Sequence, residues 1–213
     1  MGKDDRRADG GRPKRGPPER HLVLAEQDLR DELRKGDVAG AVTRAVALYG
    51  AEVFGFLTAA IGSLGPARDV YASFVTELGR ALPAFEWRYE LRTLAYLVAR
   101  RELRRHRERT PGVERSCVRR STRRLGRSRH SSRRGMVAAL RRGLAPEDRE
   151  LLVLRVDRGL SWQELALTSL GEHASDSDLD TEADHLQRRF LRLRLRIARL
   201  VRRPAGPRPF HNQ

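Results

Sequence analysis

The chain reads Leu144-Ala-Pro-Glu-Asp-Arg-Glu-Leu-Leu-Val-Leu-Arg155 and then, beginning at Gly159, Gly159-Leu-Ser-Trp-Gln-Glu-Leu-Ala166. Pro146 suits the first turn of a helix, where its missing N–H costs nothing. Glu147, Asp148 and Glu150 suit the positive end of that helix's dipole. Gly159 stops the helix as a left-handed cap. Ser161 and Glu164 have the spacing of a capping box, so a second helix starts at once and runs to Gly171. Two helices joined by a short Gly-containing turn predict a helix-turn-helix. A third basic helix follows from His185 to Arg203, with eight Arg and no acid. Its Leu186, Phe190, Leu193, Ile197 and Leu200 recur at spacings of four and three, one helical face. The run from Phe190 to Ile197 also alternates, as a strand would. Length and the abundance of Leu and Arg favour helix. Arg188, Arg192 and Arg199 then point away from the apolar stripe, where a DNA groove would receive them. Leu191 and Leu195 point outward beside them. The plainer alternative is a three-helix bundle with a solvated Arg face.

Between the second and third helices stand Glu172, Asp176, Asp178, Asp180, Glu182 and Asp184, six acids with no Lys or Arg among them. The start Asp176-Ser-Asp-Leu-Asp180 is like that of a calcium loop. Thr181 stands where that loop needs Gly, and Gln187 where it needs Glu, so an EF-hand is rejected. The segment 172–184 is expected to be an acidic insertion. Thr181-Glu-Ala-Asp184 would cap the Arg-rich helix, and the part before it would be a flap able to fold over that helix.

The 213 residues allow one large domain or two small ones, and the net charge of +16 calls for a polyanionic partner. Nucleic acid comes first and an anionic membrane surface second. The single Cys117 excludes an internal disulfide framework and fits a reducing cytoplasm. Residues 1–21 are expected to be a disordered basic arm without the apolar core of a signal peptide. Ala45 to Gly65 is nearly uncharged, but Glu52 and three glycines interrupt it. It is expected to form two buried helices broken near Gly50, not a membrane span.

From Leu22 to Arg109 the pattern is helical throughout. Helices are expected over about 26–35, from the Asp37 cap to Tyr49, over 51–61, 67–82 and 90–107. In the last of these, Leu91, Leu94, Ala95, Val98 and Leu103 make the buried stripe. Arg92, Tyr96, Arg100, Arg104 and Arg107 share another face. The preceding Phe85-Glu-Trp-Arg-Tyr89 sets aromatics beside a cation, as single-stranded nucleic acid requires. Core or staple roles for the same aromatics are the alternative. Arg100 to Arg134 holds fifteen Arg and three Glu, a local charge of +12. From Thr110 it gains Ser, Gly and Pro and loses periodicity, so 110–135 is expected to be a flexible basic linker. The expected fold is all-α. Two small helical domains, 22–109 and 136–203, flank that linker, and 204–213 form a tail. The six His are scattered and no phosphate loop appears. No enzyme activity, cofactor or metal is therefore expected.

Two separated blocks of the chain resemble bacterial RNA polymerase sigma factors of the extracytoplasmic-function type. The first comprises Gly36-Asp37, Tyr49, Phe54-Gly-Phe-Leu57, Ala67-Arg-Asp69, Arg80-Ala-Leu-Pro-Ala-Phe85 and Leu91-Arg-Thr-Leu-Ala-Tyr-Leu-Val-Ala-Arg100, and is similar to the family's region 2. The second is the helix-turn-helix with its Arg-rich helix, similar to region 4. The resemblance implies a transcription initiation factor that binds core RNA polymerase and directs it to promoter DNA. It implies that Trp87, Arg88, Tyr89, Arg92, Tyr96, Arg100 and Arg104 meet the melted promoter strand. It further implies that His185, Arg188, Arg189 and Arg192 read the distal element, and that Asp69, Phe74 and Glu77 face the polymerase. It admits an anti-sigma factor as a further partner, a cytoplasmic, nucleoid-associated location, and no membrane. The chain departs from the family at Tyr71, Ala72 and Ser73, where an acidic pair and a Gln are usual. The acidic segment departs too, standing where the family has a short turn. A polymerase-independent helix-turn-helix regulator and a basic RNA- or ribosome-binding protein are the competing readings.

Overall fold

The computed structural model describes residues 20–110, 141 and 143–202; the expected N-terminal arm up to residue 19, most of the expected linker, Cys117 and the tail from residue 203 lie outside them. The described residues are helical, with no strand among them. The helices are α1 (Arg20–Arg34), α2 (Val38–Ile61), α3 (Leu64–Ala81), α4 (Leu91–Arg109), α5 (Pro146–Leu152), α6 (Trp162–Leu170) and α7 (Asp176–Arg202). A 3-10 turn, Leu82–Ala84, follows α3, and a π-helical turn, Val153–Asp157, follows α5.

Local chemistry sets most of the boundaries. Asp37 caps α2 by accepting from the Gly40 N–H at 2.8 Å. Gly62, at φ 78°, ends α2 in the left-handed region, and Gly159, at φ 68°, lies beyond the π turn. Ser161 and Glu164 form the expected capping box at the start of α6.

Besides α1, which begins at Arg20 rather than near residue 26, three elements differ from the sequence expectation. α2 is one helix of 24 residues rather than two, because Gly50 sits at a close approach and not at a break. A Cβ there would collide with the Tyr71 hydroxyl oxygen on α3. α2 is long and apolar enough to cross a membrane by composition. Its Ala41, Ala45, Val53, Phe56, Leu57 and Ala60 are nonetheless buried in protein. Residues 64–66, expected in a loop, are the first turn of α3, where Pro66 lacks only an N–H that has no helical partner.

The third difference is the acidic segment. It is not a flap: from Asp176 onward it forms the first turns of α7. Ser175 Oγ accepts from the Asp178 N–H at 3.2 Å, and Asp178 Oδ2 accepts from the Ser175 N–H at 3.3 Å. This reciprocal box starts the helix six residues before the expected Thr181 box. Asp180 then accepts from Gln163 Nε2 at 2.6 Å, and Glu182 from Ser169 Oγ at 3.0 Å, so two of the acids hold α6. A segment rigidly continuous with the Arg-rich helix does not fold back over it.

α4 lies at the centre. Its expected stripe, Leu91, Leu94, Ala95, Val98 and Leu103, is fully buried, and Thr93, Tyr96, Leu97 and Ala99 on other faces are buried too. One apolar cluster runs from Leu29, Phe56, Phe74 and Leu82 through α4 to Leu151, Leu154, Leu165 and Leu186. Both ends of the chain contribute to this core. Along α7, Leu186 and Leu193 are buried, Phe190 and Ile197 are half-buried, and Leu191 and Leu195 are exposed. The described side chains of α7 end at Arg199, so Leu200 falls outside.

Phe74 is 1% exposed and touches Tyr71 with ring centroids 5.6 Å apart. Phe74→Ala should cost about 3–5 kcal/mol in urea unfolding. Leu191→Ala, on the exposed face, should stay within about 0.5 kcal/mol. Equal losses for the two would contradict this division of core and surface.

Candidate nucleic-acid interface

Arg92, Tyr96, Arg100, Arg104 and Arg107 do share a face of α4; Glu52 of α2 accepts from Arg92 and from the Tyr96 hydroxyl, the C-terminal half reaches the arginines, and Arg104 stays exposed. Arg92 Nη2 donates to the Arg158 carbonyl at 2.6 Å. Thr93 Oγ1 donates to Glu164 of the α6 capping box at 3.1 Å. Arg100 Nη1 donates to Thr168 Oγ1 at 2.9 Å and to the Leu165 carbonyl at 3.3 Å. Arg104 Nη2 donates to the Ser169 carbonyl at 3.2 Å. Glu150 accepts from Arg100 Nε at 3.4 Å and also pairs with Arg107. From the other side, Arg149 Nη1 donates to the Ala60 carbonyl near the end of α2 at 3.0 Å.

The electrostatics follow from burial. Burial alone would raise the Glu52 carboxyl, but hydrogen bonds and charge from Arg92, with help from the Tyr96 hydroxyl, hold it below the usual carboxylate range. Burial would lower Arg92, and Glu52 overcomes it, leaving that guanidinium raised. Arg100 goes the other way: burial and the neighbouring Arg104 charge push it down against the pull of Glu150. Tyr96 is raised by burial and then by Glu52.

The aromatic loop is packed inward. Trp87 adopts φ 60°, the left-handed region that a bulky residue rarely occupies. Its ring lies 4.7 Å from Phe85, with the Arg30 guanidinium 4.1 Å from its centroid. Tyr89 packs on Phe85 at 5.2 Å, and burial together with the Glu172 carboxylate raises its phenol. Arg88 is exposed and pairs with Glu86 at 2.5 Å.

On α7, Arg188 and Arg192 are exposed. Arg189 is held by Asp148 at 2.8 Å, and exposed His185 lies 3.5 Å from Glu182. Among the residues expected to face polymerase, Asp69 is exposed, whereas Phe74 is core. Glu77 is engaged by Arg80, by Arg105 at 3.5 Å and by Arg101 at 3.8 Å.

Sequence reasoning missed Glu150, Arg149, Thr168 and the helix-end carbonyls as partners of the basic face. Glu150 carried a signal. It is in phase with Val153 and Leu154, and an acid on an apolar stripe needs a buried cation. The carbonyls carried none, since every residue has one. A cavity of about 300 Å³ remains in the seam, where Arg100, Arg104, Arg107 and Arg189 face Glu150 and Glu182. Among the described residues no cluster of His, Cys, Asp and Glu is placed to hold a metal ion.

Glu52 supplies a pH test. Its folded pKa lies below the unfolded value of about 4.3, so its stabilisation is complete above that value and lost as pH falls through the folded pKa. Glu52→Gln should cost about 1–3 kcal/mol near pH 7, between exposed and fully buried pairs. The gap to the unaltered protein should narrow below about pH 4.3. A gap unchanged on acidification would show that the charge of Glu52 is not the source.

No protein-family model, curated protein or solved structure matches the chain, so its functional reading rests on its own residues.

Proposed function

We propose that the chain is a sigma-like transcription initiation factor of the extracytoplasmic-function type, binding core RNA polymerase and promoter DNA in the cytoplasm. The observation that carries this reading is the pair α6 and α7, in which the Arg-rich third helix follows the two helices read from the sequence as a helix-turn-helix, α5 and α6. The turn between α6 and α7, Gly171–Ser175, has five residues. The acidic stretch expected to be an insertion is mostly α7 itself. Further support comes from the all-helical unit before it, in which an aromatic loop leads into a helix with a basic face. In this reading the region 2-like and region 4-like units are two domains joined by the basic linker. Arg188 and Arg192 serve as base-reading candidates, and an anti-sigma factor is a further type of partner.

One observation favours a second reading. The first turns of α7 carry exposed Asp176, Asp178 and Asp184, whereas the motif enters a groove by the N-terminal residues of its second helix. Arg194, Arg196 and Arg199 are exposed further along. A basic RNA-binding protein would use those arginines without any fit to a groove.

Retention of the full chain by immobilised core RNA polymerase, and transcription from selected promoters by the reconstituted pair, test the first reading. Failure of both removes it. Replacing Arg188 and Arg192 with Ala should weaken specific promoter binding by about 1–3 kcal/mol for each base-reading hydrogen-bonded pair removed. If the salt dependence alone changes, they touch phosphates; if nothing changes, α7 is not the reader.

A further inference from the structure

The second half of α7 has an outer face that the fold leaves uncovered. Leu191 and Leu195, one turn apart, are 49% and 61% exposed, on the side of the helix opposite buried Leu186 and Leu193. Arg188 and Arg199 continue their line at either end. Arg192 flanks it on one side and Arg194 on the other, and all four arginines are exposed. The nearby carboxylate of Asp148 serves Arg189 at 2.8 Å and Arg196 at 4.0 Å, not these four.

The charge selects what can cover such a face. A second copy would set cations against cations. The parts of the chain outside the described residues are no better suited. Residues 1–19 hold six basic side chains against four acids, 111–140 nine against one, and 203–213 two against none. The occupant is therefore anionic and comes from outside the chain. Its shape follows from the surface. The cavity of about 300 Å³ touches α7 at His185, Leu186 and Arg189, and neither exposed leucine lines it. Leu191 and Leu195 stand instead on a convex ridge. A partner helix lays its apolar face into a groove. A duplex groove would set both leucines against base edges that are mostly polar. A flat anionic layer accepts the ridge along its length.

We propose that the second half of α7 docks on an anionic lipid surface. Leu191 and Leu195 enter the headgroup boundary, and Arg188, Arg192, Arg194 and Arg199 pair with lipid phosphates. Arginine suits the flanks because its aliphatic stem lies along the apolar layer while its guanidinium reaches the headgroups. Clusters of about four to eight basic residues on an amphipathic helix select anionic lipid in this way. Exposed Asp176, Asp178 and Asp184 are repelled by such a surface, so the helix meets it by its C-terminal half alone. Two leucines make the attachment shallow and reversible. The proposal goes beyond the initiation-factor reading, which places no membrane at α7, and its test contains no polymerase.

The experiment is flotation of the full chain with vesicles of phosphatidylglycerol and phosphatidylcholine in equal parts, and with phosphatidylcholine alone. The chain should float with the anionic vesicles and not with the neutral ones. Leu191→Ser with Leu195→Ser keeps every charge and should weaken vesicle binding about ten-fold. Its affinity for a duplex oligonucleotide should stay the same, since the phosphate contacts are intact. A second measurement places an environment-sensitive fluorophore at exposed Ala198→Cys, one turn beyond Leu195, in a Cys117→Ser chain. Its emission should shift to the blue on anionic vesicles, and the same dye at exposed Ser177→Cys should not shift. The proposal is overturned if the chain does not float with anionic vesicles or if the Ala198 dye does not shift. It is overturned equally if the double variant floats as well as the unaltered chain, which would assign attachment to the basic segments alone. Leucine substitutions that weaken duplex binding as much as flotation would give this face to nucleic acid and overturn it too.

Discussion

Glu150 is 5% exposed and serves two guanidiniums, Arg100 and Arg107, at the join between α4 and α5. Desolvating a cation costs several kcal/mol unless partners replace its water. At Arg100, burial and the neighbouring Arg104 charge push the guanidinium down against the pull of Glu150. The carboxylate of Glu150, the Thr168 hydroxyl and the Leu165 carbonyl supply it jointly. If Glu150 is absent, two cations remain against one another in a poorly solvated seam. At this junction one buried carboxylate is therefore shared by two cations.

Helix ends share the task. The last carbonyls of a helix have no partner within it and carry partial negative charge. Ser169 lies in the last turn of α6 and Arg158 follows the π turn, and both accept from α4 arginines; Leu165, in the first half of α6, accepts from Arg100. Arg149 does the same for Ala60 at the end of α2, while its Nη2 and Nε reach the carbonyls of Leu144 and Arg141. Arginine suits this use because its planar fork of donors can serve several acceptors at once without losing charge. An interface built this way is specific in geometry yet easy to exchange, since each acceptor can return to water.

What was legible in the sequence was local. The Asp37 cap, the Ser161 and Glu164 box, and Gly159 each act within a few residues, and each stands as read. Gly50 misled because its reason lies on another helix, at the Tyr71 hydroxyl. The start of α7 misled for a different cause. Two capping boxes compete, and once the Ser175 and Asp178 box nucleates a helix, propagation through Thr181 costs less than a second nucleation. The basic face of α4 was legible as a face. Its covering was not, because carbonyl acceptors leave no trace in side-chain patterns.

The distribution of free charge follows from these interactions. Of the arginines on α4 and α7, Arg92 and Arg100 are mostly enclosed, whereas Arg101, Arg104 and Arg109 of α4 and Arg188, Arg192, Arg194, Arg196 and Arg199 of α7 face solvent. A polyanion approaching the folded chain therefore meets the last turns of α4 and the second half of α7. At 0.15 M salt the field of those charges reaches about 8 Å. That brings phosphates to the projecting end of α7, but not through the packed seam.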